Sequence, residues 1–193
     1  MASIVVGGSG RNVGKTTLVC GLIAALPEFG WTAVKITGHS HGVDELVYEE
    51  KIVVQECAGG EGRTFAQGTD TARYLTAGAR RALLVTARGA AFPLVEMRAA
   101  LATDRNVIYE TNKFERLRPD VCIAVMGGDA AEWKPSFEAL LRHAYAVVVH
   151  GDEDLRRVLL RSEVRVFRLA DFGAVSAEMK EWVRARLSSE AAS

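Results

Sequence analysis

The feature of this sequence that most constrains its fold is a glycine-rich segment between an apolar run and a helical pattern. It reads Gly7-Gly8-Ser9-Gly10-Arg11-Asn12-Val13-Gly14-Lys15-Thr16-Thr17. Apolar residues at positions 4–6 predict a strand before it, and apolar residues at helical spacing from position 18 to 26 predict a helix after it. Glycines let a backbone bend closely around an anion, and a helix N-terminus behind them is partly positive. The segment therefore predicts a polyphosphate-binding loop.

The end of this loop supplies the polar side chains that polyphosphate chemistry needs. Lys15 is placed to reach the β- and γ-phosphates, and the hydroxyl of Thr16 to coordinate Mg²⁺. The residues expected to surround the phosphates are Gly10, Arg11, Asn12, Val13, Gly14, Lys15, Thr16 and Thr17. We therefore predict a nucleoside triphosphate, GTP or ATP, together with Mg²⁺.

Short apolar runs alternate with helical periodicity along the rest of the chain. Strands are predicted at 4–6, 31–36, 82–86, 107–110, 121–125, 146–149 and 164–167, and helices near 15–26, 70–77, 94–101, 136–142, 155–160 and 174–187. The pattern predicts an α/β fold, a three-layer sandwich of the P-loop NTPase type with a mostly parallel sheet of about seven strands. No linker divides it, so residues 1–193 are expected to form a single domain. Residues 46–48 and 52–54 fit this scheme only as a hairpin or an extra edge strand.

Composition excludes several classes of protein. The 24 Lys and Arg residues balance the 24 Asp and Glu residues, which gives no reason to predict a nucleic acid or an anionic membrane as a partner. The three cysteines form no C-x-x-C spacing, as is typical of a reducing compartment. The sequence shows no cationic leader and no apolar run near the roughly 20 residues that cross a bilayer. We expect a cytoplasmic protein.

The spacing of the glycine-rich segment carries a family resemblance. Ser9 stands where the common G-x-x-x-x-G-K-[ST] pattern has glycine, and Gly8 gives a loop one residue longer. This G-x(5)-G-K-T spacing resembles that of dethiobiotin synthetase and its cobyrinate-amidating relatives.

Three further segments resemble the molybdopterin-guanine dinucleotide biosynthesis protein B (MobB) family. The segments are Lys35-Ile36-Thr37-Gly38-His39-Ser40-His41, Gly68-Thr69-Asp70-Thr71-Ala72-Arg73-Tyr74 followed by Ala77-Gly78-Ala79, and Val107-Ile108-Tyr109-Glu110. They resemble that family's K-H-T-H-H segment, its G-x-D-S…A-G-A segment and its strand that ends in an acidic residue. With the loop, the resemblance covers most of the first 112 residues.

Two acidic residues are candidate site residues. Glu110 ends a buried strand at the carboxyl edge of the sheet, where it can hold a Mg²⁺-bound water or orient an attacking one; a solvated strand-end carboxylate is the alternative. Asp70 either caps its helix or ligates the metal, as the resemblance suggests. The predicted metal ligands are thus Thr16, Asp70 and Glu110, and the predicted catalytic residues are Lys15 and Glu110.

His39 and His41 lie two positions apart and point to one side if the strand continues through them. They are candidates for contact with a substrate or a transition metal, and a hydrogen-bonded loop pair is the alternative. For recognition of a base, Asn112-Lys113-Phe114-Glu115 imitates the N-K-x-D loop of GTPases, and Gly151-Asp152-Glu153-Asp154-Leu155 follows a later strand; neither matches well.

The resemblance implies a slow GTPase that is accessory to molybdenum-cofactor biosynthesis and binds another cofactor-assembly protein. Arg11 is a candidate for stabilising the phosphate charge. The alternatives are an ATP-dependent small-molecule ligase of the dethiobiotin synthetase class and a non-catalytic nucleotide sensor. The resemblance also implies a homodimer, for which residues 46–54 are the candidate edge; pairing of this strand within its own chain is the alternative.

Overall fold

A computed structural model of the chain describes residues 2–37, 52–57, 68–87, 92, 94–127, 133–150 and 162–190. Several sequence predictions lie outside these residues. They concern His39, His41, the strand at 46–48, the segment 151–155 and the helix at 155–160.

The described residues form eight strands, five α-helices and one short 3₁₀ turn. The strands are β1 (Ala2–Gly8), β2 (Thr32–Thr37), β3 (Ile52–Cys57), β4 (Arg81–Ala87), β5 (Asn106–Glu110), β6 (Val121–Met126), β7 (Ala146–His150) and β8 (Arg165–Leu169). The helices are α1 (Lys15–Ala25), α2 (Asp70–Thr76), α3 (Leu94–Ala100), α4 (Pro135–His143) and α5 (Ala177–Glu190). The 3₁₀ turn, Pro27–Phe29, follows α1.

One sheet contains all eight strands in the order β3-β4-β2-β5-β1-β6-β7-β8. Seven strands run parallel, as the alternating pattern predicted. The eighth, β3, is an edge strand that pairs antiparallel with β4, Ile52 opposite Ala87 and Cys57 opposite Ala82. For residues 52–54 the structure therefore selects the extra edge strand, paired within its own chain.

Helices cover both faces of the sheet and produce two hydrophobic cores. Leu22 of α1, Tyr74 of α2 and Val183 of α5 pack against one face, together with Ile4 of β1. The other face, which includes Val5 of β1, is covered by α3 and α4. Adjacent strand residues point to opposite faces, so a strand buried on both sides is apolar at nearly every position. This explains the continuous apolar strands and confirms the three-layer sandwich.

Three further details concern the described part of the chain. Helix α5 begins at Ala177, three residues later than the sequence pattern predicted. Cys20 and Cys122 are free cysteines. None of the helices in the described ranges is long and apolar enough to span a bilayer.

A buried carboxylate ties three strands together at the amino edge of the sheet. The side chain of Asp104, fully buried just before β5, accepts a hydrogen bond of 2.5 Å from the hydroxyl of Thr32 in β2. Its two oxygens also accept hydrogen bonds from Arg80 at 3.1 Å and from Arg81 of β4 at 2.5 Å. This cluster fixes the starts of β2, β4 and β5, so it sets how these strands reach the opposite edge.

We expect Asp104→Ala to lower the free energy of unfolding by about 3 kcal/mol, because it leaves a buried hydroxyl and a half-buried guanidinium without their partner. Chemical denaturation measures this change. Glu96→Ala, at an exposed position of α3, is the control and should change the free energy by no more than about 0.5 kcal/mol. Equal effects of the two substitutions would contradict the role given to Asp104.

Candidate functional site

The glycine-rich segment lies at the centre of the carboxyl edge of the sheet, because β1 runs between β5 and β6. Helix α1 begins at Lys15, and its first backbone hydrogen bond runs from the N–H of Leu18 to the carbonyl of Gly14 at 2.8 Å. The N–H groups of Lys15, Thr16 and Thr17 precede this ladder and have no acceptor within the helix. They and the helix dipole favour an anion at the loop.

Two glycines make this loop sterically feasible. Gly14 caps α1 at a φ of 98°, and a Cβ there would lie 1.8 Å from the ring of Phe172. A Cβ on Gly8 would lie 2.7 Å from the side chain of Lys15. A side chain at either position would therefore displace a neighbour that shapes the loop.

Two polar side chains anchor the start of the loop to neighbouring strands. Ser9, which is buried, donates from its hydroxyl to the carbonyl of Gly127 at 2.6 Å and accepts from the N–H of Gly127 at 3.0 Å. The amide of Asn112 accepts from the N–H of Gly8 at 2.7 Å and donates to its carbonyl at 3.0 Å. The serine that departs from the common motif thus links the loop to the end of β6, and Asn112 links it to the end of β5.

Lys15 folds back over the loop and donates from its ammonium group to the carbonyl of Gly10. Burial lowers the pKa of Lys15, although the nearby carboxylate of Glu110 opposes this shift. A bound phosphate would favour the charged ammonium and compensate for its desolvation.

Glu110 is a buried carboxylate that accepts hydrogen bonds from three different elements. The hydroxyl of Thr16 in α1 donates to its Oε2 at 2.8 Å, and the hydroxyl of Tyr74 in α2 donates to the same oxygen. The ammonium of Lys35 in β2 donates to its Oε1 at 3.2 Å. Burial, reinforced by Glu110, raises the pKa of Tyr74 well above its usual value, so this phenol remains a donor.

Lys35 also forms an ion pair with Asp70 at the start of α2. Burial alone would lower the pKa of Lys35, but the two carboxylates outweigh it and raise that pKa. The Nη2 of Arg73, one turn further along α2, donates to the hydroxyl of Thr17 at 3.0 Å. The side chains of α2 therefore contact both β2 and α1.

These groups line a cavity of about 720 Å³ at the carboxyl edge of the sheet. Its lining comprises Gly8, Ser9, Gly10, Arg11, Asn12, Gly14, Lys15, Thr16, Thr17, Lys35, Ile36, Thr37, Asp70, Arg73, Glu110, Thr111, Asn112, Lys113, Lys134 and Ser136. All the predicted site residues within the described ranges except Val13 line it. Val13 contributes to the loop, but its side chain packs against a hydrophobic core.

The sequence alone does not identify the roles that the structure gives to Ser9, Lys35, Arg73, Tyr74 and Asn112. Ser9 is visible there only as a departure from the motif. The others lie in segments that carry the family resemblance or imitate a base-recognition loop, and the available signal was a polar residue near the end of an apolar strand for Lys35 and just after one for Asn112. Base recognition by the imitation of N-K-x-D gains no support, because Asn112 holds the loop and Glu115 lines a separate cavity of about 430 Å³.

The donor set suits a magnesium ion that is bound together with phosphate. Thr16 gives its proton to Glu110, which leaves the lone pairs of its oxygen available for a cation. Among the described residues, no three His, Cys, Asp or Glu side chains form a metal site by themselves. Mg²⁺ needs few protein ligands when phosphate oxygens and water complete its octahedron, so the residues present fit it.

Comparisons with known proteins give a likeness of structure. No protein-family model matches the chain, and no curated protein matches its sequence. The structure is similar to the X-ray crystal structure of a MobB protein homologue from Bacillus stearothermophilus, with a TM-score of 0.50 and 19% identity over 98% of this chain and 99% of that one.

Two other solved structures show weaker likeness. Bacillus subtilis MobB gives a TM-score of 0.46 and 17% identity over 95% of this chain and 96% of that one. LpxK from Aquifex aeolicus, in an "apo" form in complex with ATP, gives a TM-score of 0.49 and 15% identity over 87% of this chain and 53% of that one. The chain therefore shares the fold of the first of these MobB structures, a three-layer α/β sandwich of the P-loop NTPase type, and the likeness is one of fold alone.

Proposed function

We propose that this protein binds a nucleoside triphosphate in the cavity at the carboxyl edge of its sheet. The observation that carries the proposal is the loop itself, since backbone N–H groups, a helix N-terminus and Lys15 converge on one cavity of about 720 Å³. Such a set of donors compensates the charge of a polyphosphate. Arg11, Asn12 and Thr17 extend the same lining.

We propose that Mg²⁺ accompanies the nucleotide and that Thr16 is its ligand from the loop. The ion would neutralise charge on the phosphate oxygens when bound. Glu110 orients the hydroxyl of Thr16 and would support the ion through it, and both Glu110 and Asp70 line the cavity, where their charge would favour a cation.

We propose slow hydrolysis, with GTP as the nucleotide expected from the family resemblance and ATP as the alternative. Glu110 is the candidate for orienting the groups that react, and Lys15 for stabilising charge on the phosphates. The likeness to MobB proteins motivates a role beside a partner protein in molybdenum-cofactor assembly, in the cytoplasm.

A ligase of the dethiobiotin synthetase class is the second candidate. The cavity continues beyond the loop to Lys35, Ile36 and Thr37 at the end of β2, and these residues offer a surface on which a second small molecule could bind. Nucleotide turnover that depends on an added small carboxylic acid would favour this function over an intrinsic GTPase.

We expect GTP or ATP with Mg²⁺ to raise the melting temperature by about 5–10 °C when the nucleotide is present at about one hundred times its Kd. Lys15→Ala should remove most of this shift, because the phosphate charge then lacks its principal side-chain cation. Lys180→Ala in α5, outside the cavity lining, is the matched control and should keep the shift. If all three proteins gain equal stability, the loop assignment is wrong.

For Glu110→Gln we expect turnover to fall about a hundredfold, with a much smaller change in nucleotide affinity. The amide keeps the shape of the side chain but loses the charge that holds Lys35 and orients Thr16. Single-turnover kinetics and calorimetric binding separate the two effects. Glu138→Gln, exposed on α4, serves as control, and unchanged turnover in Glu110→Gln would leave that carboxylate a structural role only.

We further propose a homodimer in which the outer side of edge strand β3 pairs with a second copy. One side of β3 is paired with β4, and β3 lies at the end of the described sheet. Light scattering at tens of micromolar should give twice the mass of the chain, and Val53→Glu should weaken the association. A monomer at that concentration would rule the dimer out.

A further inference from the structure

Arg73 lies where α2 meets the loop. Its Nη2 donates to the hydroxyl of Thr17 at 3.0 Å, and Thr17 belongs to the first turn of α1. The guanidinium group therefore lies beside the N–H groups that a phosphate would approach, and it lines the cavity. It comes from a different element than Lys15, so the two cations are fixed independently of each other.

The charge of Arg73 is poorly compensated by its neighbours. Its Nη1 is 3.9 Å from the Oδ1 of Asp70, which is too long for a hydrogen bond. The Oδ2 of the same carboxylate is engaged by Lys35. Within the described residues, the neutral hydroxyl of Thr17 is the one group that the guanidinium of Arg73 hydrogen-bonds, although a guanidinium has five N–H donors.

Lys35, the other cation that contacts α2, differs from Arg73 in this respect, because both Glu110 and Asp70 form ion pairs with it. The side chain of Arg73 remains 45% exposed, so its free donors can reach a ligand without first breaking a buried ion pair. A planar fork of donors matches two oxygens of one phosphate.

We propose that Arg73 binds the phosphate chain of the nucleotide directly, from α2, on the side of the cavity next to Thr17. This inference rests on the proposed function and adds to it a binding residue outside the loop. Because Tyr74, the next residue, donates to Glu110, a phosphate held by Arg73 joins α2 to α1 and to the end of β5. The bound anion thereby strengthens the contact between α2 and α1 that the hydrogen bond from Arg73 to Thr17 already makes.

The test compares nucleotide affinity in Arg73→Gln, Arg73→Lys and the wild type by calorimetry, with Mg²⁺ and either GTP or ATP. We expect a Kd about tenfold higher for Arg73→Gln, because a charged hydrogen bond to the phosphate is lost. The Kd of Arg73→Lys should lie between those of the wild type and Arg73→Gln, since lysine keeps the charge but lacks the planar pair of donors. Arg98→Gln, an exposed arginine of α3 outside the cavity lining, is the matched control and should bind like the wild type.

A second measurement separates ligand contact from a structural role. Arg73→Ala should regain affinity when millimolar guanidinium ion is added, while its melting temperature without nucleotide stays close to that of Arg98→Gln. Affinity in Arg73→Gln equal to that of the control, or no rescue of Arg73→Ala, would overturn the inference. If the wild type itself binds neither GTP nor ATP, the proposed function fails first, and this outcome is distinct from a failure confined to the Arg73 variants.

Discussion

The buried carboxylate of Glu110 is the interaction on which the arrangement of this site depends. It receives hydrogen bonds from Thr16 in α1, Lys35 in β2 and Tyr74 in α2, so four elements meet at two oxygen atoms. A buried charge is tolerated only where donors and an opposite charge compensate its lost hydration. The three donors meet that requirement, and in doing so they fix the positions of the helices around the loop.

The loop depends on a second set of constraints that is mainly steric. Gly14 adopts a left-handed conformation against the ring of Phe172, and a Cβ on Gly8 would displace the side chain of Lys15. Ser9 and Asn112 then pin the backbone to β6 and β5 by paired hydrogen bonds. A loop held in this way has its shape fixed by the protein itself, and a preformed site loses less conformational entropy when a ligand binds.

Charge in this protein is organised locally although the chain as a whole is neutral. At the carboxyl edge of the sheet, Lys15 and Arg73 border the loop while Glu110 and Asp70 hold Lys35 between them. Asp104 forms a comparable cluster with Arg80 and Arg81 at the amino edge, but its role there is to fix strands. The net charge of zero therefore does not reveal that charged clusters at the two edges of the sheet have different roles.

The sequence by itself determined the fold class, the loop and most of the strands. These features depend on local patterns, namely apolar periodicity and the spacing of Gly8, Gly14 and Lys15. Each pattern lies within a short stretch of sequence, so it can be recognised without the tertiary structure. Glu110 was also a candidate site residue from the sequence because it ends a predicted strand, and Asp70 was one because its segment resembles the MobB family. The sequence left open whether β3 pairs within its own chain, because the partner of an edge strand depends on the order of the strands in the sheet.

Only the tertiary structure decided what these residues contact. Glu110 meets Tyr74 and Lys35 across 36 and 75 positions of sequence, and Arg73 meets Thr17 across 56. No local pattern encodes such distances, because they follow from the order in which β2, β5 and β1 lie in the sheet and from the face on which α2 packs. The sequence determined that a glycine-rich loop lies between β1 and α1, whereas the packing of the helices decided which side chains surround it.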